Sequence, residues 1–335
     1  MLAQILIAGF ARRLRRADAR PYLIGGGIGA AIVALIVVAA LCVPTTITAA
    51  RLPVRDLTNG ARSVHVDGFN LWYREVGPKD RRAGAGRPVI VVIHGGPGMS
   101  DHYFNNAFDF LSDTYRVVYY DQRGSGFSQI RPNPRFYRFS YLADDLEAPR
   151  KRVIRADKLI LIGHSFGGLV AMSYAQKFPL HVAGLVFISS MAARDDTPQP
   201  KRRPDFDPWF AAQKPSVADA ALLESYLGSV GETLYDPYSG IVPDVGYYSY
   251  VPARLLWYSA IGYDFSGALS RLHVPSLVIS GARDTTLSES TPTELRSLLA
   301  GSRLVRFERS GHWAFLEEPA RFKAVVGQFI RAAFP

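Results

Sequence analysis

The sequence predicts an α/β fold, in which a mainly parallel sheet is covered by helices on both faces, carries a helical cap and follows one N-terminal transmembrane helix. Six short apolar runs rich in β-branched residues each end in Gly, Ser, Asp or His, and helix-like segments separate several of them. A stretch without comparable runs, residues 191–265, interrupts the series. An uncharged run, residues 22–43, has the length of a bilayer span.

The N-terminal run predicts a membrane anchor in contact with lipid. A helix over residues 22–43 would rise about 33 Å, close to the thickness of the hydrocarbon core of a bilayer. Five arginines lie just before it, from Arg12 to Arg20, and only two follow closely. Because positively charged flanks stay in the cytoplasm, we expect residues 1–21 to be cytoplasmic and the remainder to be exported to the periplasm or exterior. The alternative is a signal peptide cleaved near residue 50, after the ITAA sequence.

Composition limits the function classes. The chain has 335 residues, of which 48% are hydrophobic and 20% charged, so it can form one large globular core. The formal net charge is +10, but the first fifty residues hold +4 of it, and the rest shows no dense basic run with interleaved aromatics. We therefore expect no nucleic-acid binding. Cys42 is the only cysteine and cannot form an intramolecular disulfide. The oligomeric state stays open.

The remainder of the chain divides by pattern. An alternating segment around Asp67 and Gly68 predicts an antiparallel hairpin at the start of the core. The interrupting stretch is loop-like, then helical and rich in aromatics. This pattern indicates a helical cap that covers the carboxyl edge of the sheet, and the alternative is an extra structural lobe. The expected segments are a linker at 44–62, the first part of the core at 63–190, the cap at 191–265 and the second part of the core at 266–335.

One strand-to-helix junction predicts a nucleophile. The sequence KLILIGHSFGGLVAMSYAQKFP begins as a buried strand and continues as a helix, and Gly163 to Gly167 between them matches G-x-S-x-G. Small residues at both ends of the motif let the chain turn tightly, so that the side chain of Ser165 is presented at the tip.

A serine nucleophile requires a base and a carboxylate that orients the base. Among the seven histidines, His312 follows the last predicted strand, and Asp284 ends the strand before it. The three residues occur in the order Ser, Asp, His with separations of 119 and 28 residues. We therefore expect Ser165, Asp284 and His312 to form a catalytic triad.

The same chemistry requires hydrogen-bond donors for the oxyanion. One expected donor is the backbone amide of Phe166, directly after the nucleophile. The other lies in the loop after VIVVIHGGPG, where Gly96 is favoured over Gly95 because glycine permits close approach of the backbone to a substrate. His94 is interpreted as a residue that orients this loop.

Five motifs together resemble the prolyl-aminopeptidase-like branch of the α/β-hydrolases: HGGPG at 94–98, DQRGSGFS at 121–128, the strand-to-helix turn at 163–167 (the elbow), GARD and SGHW. The resemblance extends roughly from residue 63 to the C-terminus. It implies a hydrolase that forms an acyl-enzyme and needs neither a metal nor an organic cofactor. The chain departs from the family at the elbow, because prolyl aminopeptidases usually have the sequence Gly-Gly-Ser-Trp-Gly there. Asp121 and Arg123 are expected to pair or hydrogen-bond within their turn.

The sequence leaves the substrate open. Glu224 and Glu232 are candidates for binding a free amine, although a solvated helix face explains either acid more simply. Trp209 and Trp257 are candidates for the walls of the acyl site, and would suit a proline ring, an acyl chain or an aromatic ester. We expect a hydrolase acting on a small ester, thioester or lactone, with an aminopeptidase acting on short peptides as the alternative and a catalytically silent binding protein as the minor one.

Overall fold

The computed structural model describes residues 46–47, 61–78, 86–131, 133–195 and 248–335. The predicted membrane span at 22–43 and most of the predicted cap lie outside these ranges, as do Trp209, Glu224 and Glu232. Within the described ranges, no helix has the length and apolar character that crossing a bilayer requires.

The described strands form an eight-stranded sheet at the centre of the fold and a separate two-stranded ribbon. The strands, in chain order, are β1 (Thr46–Ile47), β2 (Ala61–Val66), β3 (Phe69–Val76), β4 (Val89–Ile93), β5 (Val117–Tyr120), β6 (Leu159–His164), β7 (Val182–Ile188), β8 (Tyr248–Ser249), β9 (Ser276–Gly281) and β10 (Arg303–Phe307). The order across the sheet is β10-β9-β7-β6-β4-β5-β3-β2, and β1 pairs with β8 in a separate two-stranded ribbon.

The sheet is mainly parallel, as the sequence predicts. All pairings from β10 across to β5 are parallel. Every residue of β4, β5 and β6 is buried. Strands covered on both faces need apolar side chains at every position, which is why these runs are continuous rather than alternating.

The predicted hairpin is confirmed at one edge of the sheet. Strands β2 and β3 pair antiparallel, with Val66 opposite Phe69. The two residues between them, Asp67 and Gly68, have φ of 43° and 81°. Positive φ at both turn positions matches the right-handed twist of the strands, and Asp-Gly adopts it readily. Strand β3 then pairs antiparallel with β5, so the hairpin extends the sheet.

Helices cover both faces of the sheet. They are α1 (Leu142–Pro149), α2 (Phe166–Lys177), α3 (Tyr250–Ala260), α4 (Ser266–Ser270), α5 (Thr291–Leu298), α6 (Ala314–Glu317) and α7 (Pro319–Ala333). Helix α2 packs in the core on one face through residues that include Leu169. Helix α7 packs in the core on the other face through Phe322, Val326 and Ile330, whose spacing of four residues places them on one side of the helix.

The functional loops leave the carboxyl ends of the parallel strands. The segment after β4 carries Gly96, the junction after β6 carries Ser165, and the loops after β9 and β10 carry Asp284 and His312. In open α/β sheets this is the edge at which ligands bind. Helix α3 lies within the predicted cap range and approaches the same edge, because the Ser249 N–H donates to the Gly98 carbonyl at 2.8 Å.

Candidate active site

The junction between β6 and α2 is a strained tight turn. Ser165 has φ 54° and ψ −122°, a conformation that residues with a side chain rarely adopt. Its N–H donates to the Ile188 carbonyl at 3.1 Å, and its carbonyl accepts from the Gly168 N–H at 3.0 Å. A Cβ on Gly163 would lie 2.6 Å from the carbonyl oxygen of Gly167, so the turn requires glycine there. The motif therefore serves the geometry that presents the serine.

The loops after β9 and β10 bring Asp284 and His312 together. Nδ1 of His312 lies 2.9 Å from Oδ2 of Asp284, and both side chains are less than 10% exposed. Oδ1 of Asp284 accepts from the Thr286 N–H at 3.0 Å. Burial raises the pKa of the Asp284 carboxyl, but the charge and hydrogen bond of His312, together with further hydrogen bonds that include the Thr286 N–H, lower it to about 2. The ionised carboxylate accepts the Nδ1–H of His312, so Nε2 is the ring nitrogen that remains to accept a proton.

His312 also lies beside the elbow. The ring of His164, the residue directly before Ser165, is 4.7 Å from the ring of His312 between centroids. Contact between residues 164 and 312 places the imidazole at the turn that carries the serine. The structure thus brings Ser165, Asp284 and His312 to one edge of the sheet.

The loop after β4 passes beside the same turn and has a fixed peptide orientation. Nδ1 of His94 donates to the Gly95 carbonyl at 2.9 Å, and its Nε2 accepts from the Gln122 N–H at 3.0 Å. Burial lowers the pKa of His94 to about 4, so the ring is neutral and both bonds are satisfied. In a trans peptide the N–H points away from the carbonyl, so fixing the Gly95 carbonyl fixes the direction of the Gly96 N–H. A Cβ on Gly95 would lie 2.9 Å from Cβ of Ser165, so this loop passes directly against the serine.

The second expected donor lies at the start of α2. Phe166 is the first residue of the helix, and the N–H groups of a first helical turn have no acceptor within the helix. Its amide follows Ser165 directly, so it is the expected donor to the negative charge that develops on a substrate oxygen beside the serine. The ring of Phe166 is fully buried and packs against Phe139 and Trp257, with centroids 5.6 Å and 5.9 Å away.

Residues 88–319 match the protein family described as the alpha/beta hydrolase fold. The matched range includes the loop after β4, the elbow, Asp284 and His312. The chain belongs to the α/β-hydrolase family. It is a hydrolase enzyme of the prolyl-aminopeptidase-like kind, as the sequence motifs predict.

Known proteins similar to this α/β-hydrolase differ in what they act on. A proline iminopeptidase of Saccharolobus solfataricus is 29% identical over 284 residues, covering 78% of this chain and 89% of its own. An enol-lactonase from Burkholderia xenovorans LB400 has a similar structure, with a TM-score of 0.65 at 21% identity over 81% of this chain and 100% of its own. A structure described as a membrane phospholipase A, a bacterial virulence factor, has a TM-score of 0.61 at 20% identity and covers 99% of this chain and 97% of its own.

The structure corrects the interpretation of Asp121 and Arg123 in this hydrolase. Asp121 does hydrogen-bond within its turn, accepting from the Phe127 N–H at 2.8 Å, and it also accepts from the Asp101 N–H at 2.8 Å. Arg123 does not pair in the turn. Its guanidinium makes two bonds to the carboxylate of Asp145, at 2.6 Å and 2.5 Å. The two side chains therefore tie the turn to different parts of the fold.

The structure describes one of the four substrate-binding candidates. Trp257 lies on α3, half-buried, with its ring against that of Phe166. Its role in substrate binding stays a prediction. Trp209, Glu224 and Glu232 lie outside the described residues, and their roles stay predictions.

Sequence reasoning missed two polar residues beside the site, Tyr103 and His164. Both are fully buried, and the Tyr103 hydroxyl lies 3.0 Å from Nδ1 of His164. The signal in the sequence was a histidine at a variable position of G-x-S-x-G, where a buried imidazole needs partners. Across the described ranges, no group of three or more His, Cys, Asp or Glu side chains is arranged to hold a metal ion.

Proposed function

We propose that this α/β-hydrolase is a membrane-anchored serine hydrolase that forms an acyl-enzyme on Ser165. The observation that carries the proposal is the 2.9 Å bond between His312 and Asp284 beside the elbow. A serine hydroxyl becomes a nucleophile only when a base removes its proton, and an oriented neutral imidazole supplies that base.

The proposed chemistry has two halves. Oγ of Ser165 attacks the substrate carbonyl while Nε2 of His312 takes the hydroxyl proton, and the amides of Gly96 and Phe166 stabilise the oxyanion. When the carbonyl re-forms, the leaving group departs with the proton from His312, and an ester joins the acyl group to Ser165. Water then attacks this ester by the same route, which releases the acid and restores the serine.

The test of this proposal is the Ser165→Ala variant. It removes one hydroxyl and keeps the backbone turn, so hydrolysis should fall by several orders of magnitude while the fold persists. A fluorophosphonate should add to Ser165 in the parent protein, as measured by peptide mass after digestion. Unchanged hydrolysis in the variant, or an adduct on another serine, would refute the assignment. A parent protein with neither hydrolysis nor an adduct would favour the minor alternative, a scaffold that binds without catalysis.

For the substrate we propose a small ester, thioester or lactone. Trp257 is the proposed apolar wall for an acyl chain or aromatic ester, and its support is the contact between its ring and that of Phe166, the residue after the serine. The enol-lactonase of similar structure is consistent with this class. The experiment is a comparison of kcat/KM for 4-nitrophenyl acetate and butyrate with kcat/KM for a prolyl arylamide.

The second candidate is an aminopeptidase that releases an N-terminal residue. The proline iminopeptidase that matches 78% of this chain favours it at least as strongly. A peptidase needs an acid to receive the free amine, and Glu224 and Glu232 are the proposed residues. A higher kcat/KM for the prolyl arylamide, lost in Glu224→Gln or Glu232→Gln, would select this candidate over the esterase.

We also propose that residues 22–43 anchor the enzyme in the membrane with its catalytic residues exported. The support is the uncharged run preceded by five arginines, since moving guanidinium groups across a bilayer is costly. The structure described as a membrane phospholipase A, which covers nearly the whole chain, is consistent with such an arrangement. The anchor would hold the enzyme near lipid and near substrates that partition into it.

A further inference from the structure

Two buried polar residues outside the expected triad join its two halves. The Gly95 N–H donates to the hydroxyl oxygen of Tyr103, so Tyr103 holds the loop that carries Gly96. The Tyr103 hydroxyl lies 3.0 Å from Nδ1 of His164, and Nε2 of His164 lies 3.0 Å from the carbonyl oxygen of His312. One continuous row of hydrogen bonds therefore runs from the oxyanion loop to the expected base.

The direction of every bond in this row is determined. A backbone carbonyl only accepts, so Nε2 of His164 must carry the proton that is donated to His312. Burial and the neighbouring His312 lower the pKa of His164, so the ring is neutral and Nδ1 is an acceptor. The Tyr103 hydroxyl therefore donates to Nδ1, and its oxygen accepts from Gly95. Each donor and acceptor in the row is used once, without conflict.

Packing leaves these side chains little freedom. Tyr103 and His164 are 0% and 1% exposed. The Tyr103 ring lies 5.2 Å from that of Trp313, and the His164 ring lies 5.2 Å from that of Phe315, both edge-on. Because tight packing restricts these side chains, a shift at one end of the row must either break a buried hydrogen bond or move the other end.

We propose that Tyr103 and His164 are positioning residues that set the oxyanion loop and His312 at a fixed separation around Ser165. Apart from the bond between them, their hydrogen bonds go to backbone groups, the Gly95 N–H and the His312 carbonyl. Their effect is to keep the Gly96 amide and the imidazole of His312 aligned at the same time, which the transition state needs and substrate binding does not. This inference rests on the proposed acyl-enzyme mechanism.

The first test is Tyr103→Phe, which keeps the ring and removes the hydroxyl. With the best of the three substrates above, kcat should fall about 10- to 100-fold while KM changes little, because small misplacements of catalytic groups cost rates of this order. Inhibition by a trifluoromethyl ketone, whose Ser165 adduct places an oxyanion in the hole, should weaken in parallel.

The matched control is Tyr119→Phe. Tyr119 is also fully buried, and its hydroxyl donates to Asp109 at 2.6 Å and accepts from the Phe108 N–H at 3.2 Å. This variant likewise loses a buried hydroxyl but not the row, so kcat should stay within about twofold of the parent, with a similar loss of stability. Equal kinetic effects in Tyr103→Phe and Tyr119→Phe would overturn the proposal.

The second test uses His164 and stands even where Tyr103→Phe does not fold. The amide of Gln can donate to the His312 carbonyl, whereas Leu cannot, so His164→Gln should retain about tenfold more kcat than His164→Leu. Tyr103→Phe combined with His164→Leu should be no slower than His164→Leu alone, because both break one row. The proposal would be contradicted if the two substitutions lowered kcat multiplicatively in the double variant, or if His164→Gln and His164→Leu were equally active. Full activity in Ser165→Ala would instead refute the underlying mechanism.

Discussion

Single residues contribute to the candidate site through backbone as well as side chain, and Phe166 illustrates the difference. Its amide is the expected oxyanion donor, whereas its ring is buried among Phe139 and Trp257. The side chain therefore affects packing, and the hydrogen bond to substrate does not depend on its identity.

We predict that Phe166→Leu retains kcat within a few-fold of the parent. The swap keeps the helix start and hence the amide, and it should cost about 1 kcal/mol in the free energy of unfolding through imperfect packing. Urea unfolding and 4-nitrophenyl ester kinetics measure the two quantities. Phe166→Pro, which removes the N–H at the first helical position, is the contrasting variant and should lose activity about 100-fold.

The lowered pKa of Asp284 predicts how the stability of the folded protein changes at acid pH. Its pKa is lowered to about 2 in the folded protein from an ordinary value near 4, so the folded state favours the ionised form. That stabilisation is present above pH 4 and is lost as the pH falls toward 2, and it amounts to about 2 kcal/mol.

Asp284→Asn should therefore reduce the free energy of unfolding at pH 7 and flatten its decline between pH 4 and pH 2. It should also lower kcat less than His312→Ala does, because an oriented imidazole is only partly lost. Asp157→Asn, at an exposed carboxylate, is the control and should follow the parent curve. An unchanged acid limb in Asp284→Asn would show that the ion pair contributes nothing to stability.

At the scale of elements, helix α3 and the loop after β4 meet at Gly98. Gly98 has φ +89°, and a Cβ there would lie 2.6 Å from Cβ of Ala253 and 2.7 Å from the carbonyl oxygen of Ser249. The loop and the start of α3 are therefore packed backbone to backbone, and the position of one constrains the other.

Gly98→Ala should separate these two elements and lower kcat at least about tenfold. Gly301→Ala is a matched control, because Gly301 has φ +73° and a methyl group on its Cα would meet no atom within 4 Å, so it bears the backbone strain without the clash. Both variants should lose about 1 to 2 kcal/mol from strain, and only the first should lose activity. Equal activities would mean that α3 does not constrain the loop.

At the scale of the whole molecule, the proposed anchor predicts a topology. A tag placed before Arg12 should survive protease added to intact spheroplasts, while the hydrolase core is digested. Replacing the five leading arginines with glutamate should weaken this orientation, whereas replacing Arg51 and Arg55 should not. A protected core with an accessible tag would reverse the proposed topology, and an active soluble product beginning near Arg51 would establish cleavage.

The sequence predicted what depends on local pattern. Continuous apolar runs identified the parallel strands, Asp67-Gly68 identified the hairpin, and the elbow context identified the turn at Ser165. Asp284 and His312 were predictable as partners because the chemistry of a serine nucleophile requires them. Distant partners that no such requirement links were not predictable, because their meeting depends on how the elements pack. Arg123 pairs with a carboxylate on α1, and Tyr103 meets His164 across 61 residues.

The distribution of the site over β6, β9 and β10 has a consequence for biosynthesis. His312 follows Ser165 by 147 residues, so at about 5 to 20 residues per second the ribosome completes the serine turn about 7 to 30 s before it reaches the base. Under the proposed mechanism, the hydroxyl lacks its general base throughout that interval. A nascent chain would then be inert toward the acyl compounds of the compartment in which it is made, and hydrolytic activity would begin only after the last strands join the sheet.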